Sequence, residues 1–230
     1  MMRPAVIAID GPVASGKSTV AHLLARRLGY FYLDTGLLYR ALTWQALRQG
    51  IDPSDGAGLA DLARRLKVEI RPPSRRDGRQ ADVRVNGHDV SLAIRSAEVD
   101  ANVSAVSAHP EVRAALVEMQ RRAARLPGTV VAGRDIGTVI FPDADLKIYL
   151  EANPEGRARR RLLQQGGWSE AGLVQTLRKI QERDHLDSTR AAAPLQRASD
   201  ALVIDTDDVP PEQVVRRIIE VWEARAATDA

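Results

Sequence analysis

The sequence predicts an α/β fold built on a five-stranded parallel sheet. Three observations lead there. Short apolar runs at 5–9, 30–33, 129–132, 146–150 and 201–204 read as buried strands. Most are separated by stretches in which apolar residues recur at helical spacing. The first run leads directly into GPVASGKST at 11–19, a glycine-rich loop that opens a helix pattern.

Residues 5–9 (AVIAI) are apolar and β-branched, as suits a strand covered on both faces. The loop after them carries Gly11, Gly16, Lys17 and Ser18 at the GxxxxGK[ST] spacing. Gly11 and Gly16 permit backbone conformations that a Cβ would block, so consecutive N–H groups can turn around phosphate oxygens. Lys17 supplies a point charge for β- and γ-phosphates, and the Ser18 hydroxyl is a candidate Mg²⁺ ligand. The following helix, with Val20, Leu23, Leu24 and Leu28 on one face and Gly29 as its stop, directs its positive end at the same anion.

In parallel α/β sheets, ligands sit beyond the carboxyl ends of the strands. Asp10, Asp34, the 133–138 segment and Asp205 all follow strand ends and are expected to converge there. The 51–110 region breaks the pattern. Residues 67–71 and 81–85 alternate as antiparallel strands, and Asn86-Gly87 is a two-residue hairpin signal. Residues 92–106 read as helical, so the region is an inserted subdomain. The 71–79 loop (RPPSRRDGR) is read as a mobile, solvated loop; Arg75, Arg76 and Arg79 could also grip nucleic acid. Residues 154–165 and 169–185 read as two helices joined by Gly166-Gly167, and 210–222 as a last amphipathic helix opened by proline.

The 230 residues carry 33 basic and 30 acidic side chains, a small net charge of +3 with no long block of one sign. There is no cysteine, which removes disulfides and thiolate metal sites. No run approaches the length of a membrane span, and no secretion signal is expected, so a cytoplasmic location is the expectation.

Four further clusters are candidates for chemistry. DTGLLYR at 34–40 holds a carboxylate, a hydroxyl, a phenol and a guanidinium; Thr35 is also a candidate helix N-cap. GRDIGT at 133–138 places Arg134 and Asp135 at a strand end, either as a structural ion pair or as ligand contacts. RDHLDSTR at 183–190 aligns Arg183, Asp187 and Arg190 on one helical face, a pattern that taken alone reads as mutually satisfied surface charges. Four arginines, Arg157, Arg159, Arg160 and Arg161, cluster on the helix before Gly166-Gly167.

Taken in order, IDGPVASGKST, LDTGLLYR, the Asn-Gly hairpin, GRDIGTVIFPDA, ERDHLDSTRAAAPL and DALVIDT resemble the bacterial cytidylate kinase family from Ile7 to about Val215. The resemblance implies a three-layer P-loop NTPase fold. Its core would be 1–40 and 111–230, with an acceptor-nucleotide-binding insertion at 41–110 and a short helical lid at about 154–168. It implies transfer of the γ-phosphate of ATP to CMP or dCMP, with Mg²⁺, in a monomer that needs neither nucleic acid nor membrane. The donor loop would be Gly11, Pro12, Val13, Ala14, Ser15, Gly16, Lys17, Ser18 and Thr19, with Ser18 on the metal. Thr35, Tyr39, Arg40, Ser104, Arg113, Arg134, Asp135, Arg183, Asp187 and Arg190 would bind the acceptor, Asp135 reading cytosine and Asp187 the pentose. Lys17, Arg134, Arg183 and the lid arginines Arg157 and Arg161 would offset charge on the transferring group, the lid arginines facing the phosphates or the adenine. Thr35 stands where some members have serine, and Ala132 where some have an acid that could help hold Mg²⁺; Asp34, and more weakly Asp10, could replace it through water.

Other readings remain open from the residues alone. A kinase for AMP, dTMP or shikimate would share the loop, but the hairpin insertion and the ERDxxDxxR segment argue against it. A GTP-dependent switch would need an Asn-Lys-x-Asp signature, and none of Asn86, Asn102 and Asn153 precedes lysine. A nucleic-acid-stimulated ATPase is the third.

Overall fold

The computed structural model describes residues 5–125, 127–164 and 166–228. Gln165, at the expected end of the first of the two joined helices, lies outside the described residues.

Five strands form the main sheet: β1 (Ala5–Asp10), β2 (Phe31–Asp34), β6 (Gly128–Ala132), β7 (Leu146–Glu151) and β8 (Leu202–Asp205). Their order is β2-β6-β1-β7-β8, and β1 pairs in parallel with both β6 and β7. All five expected strands are present, each shifted by a residue or less at its start. β1 is central, which explains its unbroken apolar run; Ile7, Ala8 and Ile9 are fully buried.

Strand alternation sorts β7 into two faces. Leu146, Ile148 and Leu150 join Ile7 and Ile9 in a core with α1 (Lys17–Leu28) and α8 (Pro211–Thr228). Val20, Ala21, Leu24 and Ala25 supply the buried stripe of α1, and Gly29 ends it in a left-handed C-cap at φ 69°. Val214, Val215 and Ile218 do the same for α8, which runs six residues beyond its expected end. Lys147 and Tyr149 occupy the other face of β7, with Lys147 alongside Gly137 of a π-helical turn (Ile136–Ile140).

Packing divides the chain into two compact units, residues 1–32 with 124–230, and residues 33–123. The second is wider than the 41–110 insertion expected, because α2 (Gly36–Arg48) packs on α4 (Ala97–Ala108) and α5 (Pro110–Arg122) packs on α3 (Gly56–Arg65). Its own sheet is antiparallel, in the order β3 (Val68–Arg71), β4 (Asp82–Val85), β5 (His88–Asp89). Asn86-Gly87 makes a tight turn with positive φ at both residues, 49° and 87°, as a two-residue hairpin of this kind requires. It joins β4 to β5, a two-residue strand too short to read from sequence. The expected 92–106 helix is broken at Ser96, which caps α4 through its side chain and follows a 3-10 turn at Ala93–Arg95.

The 71–79 loop is exposed as expected over residues 71–78, and departs from that reading at Arg79. Arg75 and Arg76 are exposed, but the Arg79 side chain is only 4% exposed. Its guanidinium pairs with Asp77 (2.7 Å), Asp82 (3.0 Å) and Asp89 (2.9 Å), and reaches the Ser91 hydroxyl. One arginine therefore ties the loop to β4 and β5.

Among the described residues, no helix is long and apolar enough to cross a membrane.

Candidate active site

The phosphate-binding loop is shaped by its backbone. Gly11 has φ 148°, and a Cβ there would lie 2.3 Å from the Leu150 carbonyl oxygen on β7. Gly16 has φ 89° at the N-cap of α1. Ala14, with φ 58°, takes the left-handed region that non-glycine residues rarely visit. Lys17 is buried, and its ammonium donates to the Pro12 carbonyl and, at 3.3 Å, to the Ser15 hydroxyl. Ser18 is half-buried in the first turn of α1, and Thr19 is exposed.

Two of the outside contacts that hold this loop come from residues with no assigned role in the sequence, Thr206 and Asp184. Thr206, just beyond β8, donates from its hydroxyl to the Ser15 carbonyl at 3.2 Å, and Arg160 bonds to Thr206 in turn. Asp184 of α7 (Glu170–Thr189) accepts from the Val13 N–H at 3.2 Å.

Arg157, of α6 (Pro154–Gln164), was expected over the phosphates. Instead its side chain is 4% exposed, donates to the Val13 and Ala152 carbonyls at 2.9 and 3.0 Å, and pairs with Asp184 at 2.6 Å. α6 starts three residues after β7 ends, and Arg157 in its first turn lies against the backbone of Val13 and Ala152. Arg161 is exposed on α6.

Beyond β6, the GRD segment meets the end of α7. Arg134 Nε donates to Asp187 at 2.8 Å, and Arg190 lies 3.5 Å from Asp187 and 3.7 Å from Asp135. Arg190 Nε also donates to the Ala193 carbonyl at 2.7 Å. Burial alone would raise the Asp187 pKa; Arg134 beside it, with Arg183 and Arg190, outweighs that and holds it below the usual range. Arg183 is half-buried on the same helix. Thus Arg134, Asp135, Asp187 and Arg190, separated by up to 56 positions, form one charged network.

Asp10 braces this segment from below. Its carboxylate accepts from the Ile136 and Gly137 amides at 2.8 and 2.7 Å. Burial nevertheless pushes its pKa up to about 6, with the Asp135 charge adding to the rise. Each Asp10 oxygen thus accepts one backbone N–H, which makes Asp10 a brace of the segment after β6. Tyr149, opposite Asp10 in register, was also missed; burial first, then Glu151, Asp10 and Asp184, raise its phenol, and Arg134 opposes them. The signal for it was the alternation Lys147, Tyr149, Glu151 along an otherwise apolar strand.

In the second unit, Thr35 precedes α2 but its side chain does not cap the helix; Asp34 does the local work, accepting from the Gly36 N–H at 2.9 Å. Arg40 pairs with Asp100 at 2.6 Å and donates to the Ile94 carbonyl. Tyr39 and Arg113 are buried and stacked, the guanidinium 5.3 Å from the ring centroid, with Arg113 also donating to the Ser107 carbonyl. Ser104 is half-buried on α4, one turn before Ser107, whose hydroxyl donates to the Ser104 carbonyl. Thr35, Tyr39, Arg40, Ser104 and Arg113 thus belong to one compact unit.

Comparison with known proteins gives a consistent result. The family model described as cytidylate kinase matches residues 7–224. A cytidylate kinase of Desulfitobacterium hafniense (strain Y51) is 45% identical over 223 residues, covering 96% of this chain and 94% of that protein. A bifunctional pantoate ligase/cytidylate kinase of Synechococcus sp. (strain CC9311) is 46% identical over 231 residues, covering all of this chain but 46% of that one. The corresponding bifunctional protein of Prochlorococcus marinus (strain MIT 9313) is 44% identical, with 98% and 44% covered. The chain therefore spans a little under half the length of these bifunctional relatives. With its phosphate loop, its GRD segment and a match running through nearly all its length, the chain belongs to the cytidylate kinase family.

Proposed function

We propose that this chain transfers the γ-phosphate of ATP to CMP or dCMP, giving ADP and CDP or dCDP by direct in-line displacement. The observation that carries the reading is the union of Arg134, Asp135, Asp187 and Arg190 in one buried-to-half-buried network, within a chain of this family. Paired guanidiniums and carboxylates there suit an acceptor that has both a phosphate and a pentose.

In this reading the loop 11–19 binds ATP phosphates through its backbone N–H groups and Lys17. Arg134, Arg183 and Arg190 hold phosphate, Asp187 the pentose hydroxyls and Asp135 the cytosine. Thr35, Tyr39, Arg40, Ser104 and Arg113 supply further acceptor contacts, and Arg161 is left as the lid arginine. Such transfer needs no protein nucleophile, since positioning and charge neutralisation carry most of the rate. A monomer acting in the cytoplasm on nucleotides alone is part of the proposal.

Mg²⁺ fits the donor set in one particular way. Asp10 and Asp34 accept from backbone amides, and among the described residues no group of three acidic or histidine side chains could hold a metal. One hydroxyl, that of Ser18, suits a hard cation that keeps waters and nucleotide oxygens as its other ligands. Bound there, Mg²⁺ would offset charge on the β- and γ-phosphates.

The test is ADP release from MgATP with CMP, dCMP, UMP, AMP, dTMP or no acceptor. Turnover mainly with CMP and dCMP is expected. Turnover without an acceptor, or with RNA or DNA in place of a monophosphate, would overturn the assignment. So would a preference for GTP.

A further inference from the structure

We propose that Arg157 and Asp184 are positioning residues that clamp the Val13 peptide and so set the shape of the phosphate-binding loop. The geometry is a closed ring. The Val13 N–H donates to Asp184 Oδ1 at 3.2 Å, the Val13 carbonyl accepts from Arg157 Nη1 at 2.9 Å, and the two side chains pair at 2.6 Å. Both polar groups of one loop residue are therefore satisfied by a single ion pair, its arginine buried and its aspartate half-buried. Arg157 is anchored independently by the Ala152 carbonyl, so the ring is fixed to the end of β7.

The site needs such a clamp. The next residue, Ala14, has φ 58°, a conformation that costs a non-glycine residue free energy and persists only where surroundings hold it. Within the loop, the only backbone bond across it is the long one from the Ser15 N–H to the Pro12 carbonyl, at 3.4 Å, among the described residues. Pro12 precedes Val13 and Ser15 follows Ala14, and the Ser15 carbonyl is held by Thr206. The strained residue is thus pinned on its N-terminal side by Arg157 and Asp184 and on its C-terminal side by Thr206. Asp184 also lies one turn before Asp187 on α7, so the helix that carries the charged network carries one jaw of the clamp.

Asp184 and Arg157 do not touch the nucleotide in this account. Arg157 as a purely local helix anchor would predict lost stability alone; a clamp predicts lost donor affinity. The inference rests on reading the loop as the ATP site, so the two are separated by measuring ADP binding directly. Calorimetry of ADP with the unmodified chain comes first; absence of binding would overturn the donor reading and the clamp's role with it. Given binding, Asp184→Ala and Arg157→Ala should each weaken ADP by about 10–100-fold, and raise KM for ATP similarly while leaving KM for CMP within about twofold. The double variant should be no worse than either single, because one ring is broken in each case. Asp184→Asn, which keeps an acceptor for Val13 but loses the charge, should fall between. Val214→Ala, a core change under α8, controls for stability. ADP affinity within about twofold of the unmodified chain in both single variants, additive losses, or an equal loss in the control would overturn the proposal.

Discussion

Two loops that both carry glycine and proline are held in place by different balances of sterics and charge. The 11–19 loop and the 71–79 loop are both polar, both contain glycine and proline, and both look irregular in sequence. The first is set chiefly by backbone sterics. Gly11 leaves no room for a Cβ beside Leu150, Gly16 turns the chain into α1, and Ala14 sits at positive φ under external restraint. The second is set by charge. Arg79 gathers Asp77, Asp82 and Asp89 around one buried guanidinium. Sterics that depend on glycine leave a signature at fixed spacing; a charge knot does not, because its partners can stand anywhere that folding brings them.

The largest effect should come from breaking the steric side. Gly11→Ala drives a Cβ into a sheet carbonyl at 2.3 Å, and neither strand nor loop can yield cheaply. Turnover should fall on the order of 10³-fold, with a stability loss of about 2–4 kcal/mol measured by denaturant unfolding. Near-normal turnover would mean that the loop is more adaptable than its backbone implies.

Acid sharpens the contrast next. Asp10, just before the first loop, has its pKa raised to about 6, mainly by burial. Its folded form therefore binds a proton that the unfolded chain releases between about pH 4 and 6, so this group's contribution to stability falls as pH rises through that window and is greatest below it. The span is worth up to about 3 kcal/mol. The aspartates around Arg79 behave oppositely. Asp89 is held low first by the Ser91 hydroxyl and then by Arg79, Asp77 by Arg79, and Asp82 by Ser74 and Arg79. Their stabilisation is fully present above the unfolded carboxylate value and is lost as pH falls below about 4. Asp10→Asn should remove the slope between pH 4 and 6 and leave the loss below 4; an unchanged slope would refute the Asp10 assignment.

The smallest effect should follow from breaking the charged side. Arg79→Met leaves three aspartates facing one another, and should lower Tm by a few degrees with KM for ATP unchanged. A large rise in that KM would show that the second loop has a role in the donor site.

What sequence made legible follows the same division. The five strands of the main sheet, the phosphate loop and the antiparallel hairpin were readable, because each rests on residues close in the chain. β5 escaped, since two residues show no alternation. The break at Ser96 escaped because the apolar pattern continues across it. Arg134, Asp135, Asp187 and Arg190 were singled out as types and spacings, but their union depends on contacts across more than 50 positions. Arg157 was assigned to the phosphates by its place in an arginine cluster, whereas its position behind the loop depends on where α6 begins. Asp184 had no local signal, as its partner is the backbone of Val13, 171 residues away.

The central claim is that the loop and Lys17 deliver a phosphoryl group to a monophosphate rather than to water. The most direct measurement is ³¹P NMR of the chain with MgATP and CMP, run beside Lys17→Met. The account predicts CDP and ADP appearing in equal amounts, no early inorganic phosphate, and rates on the order of 10³-fold lower in a folded Lys17→Met. ADP accompanied by inorganic phosphate and no CDP, or full CDP formation by the Lys17 variant, would contradict it.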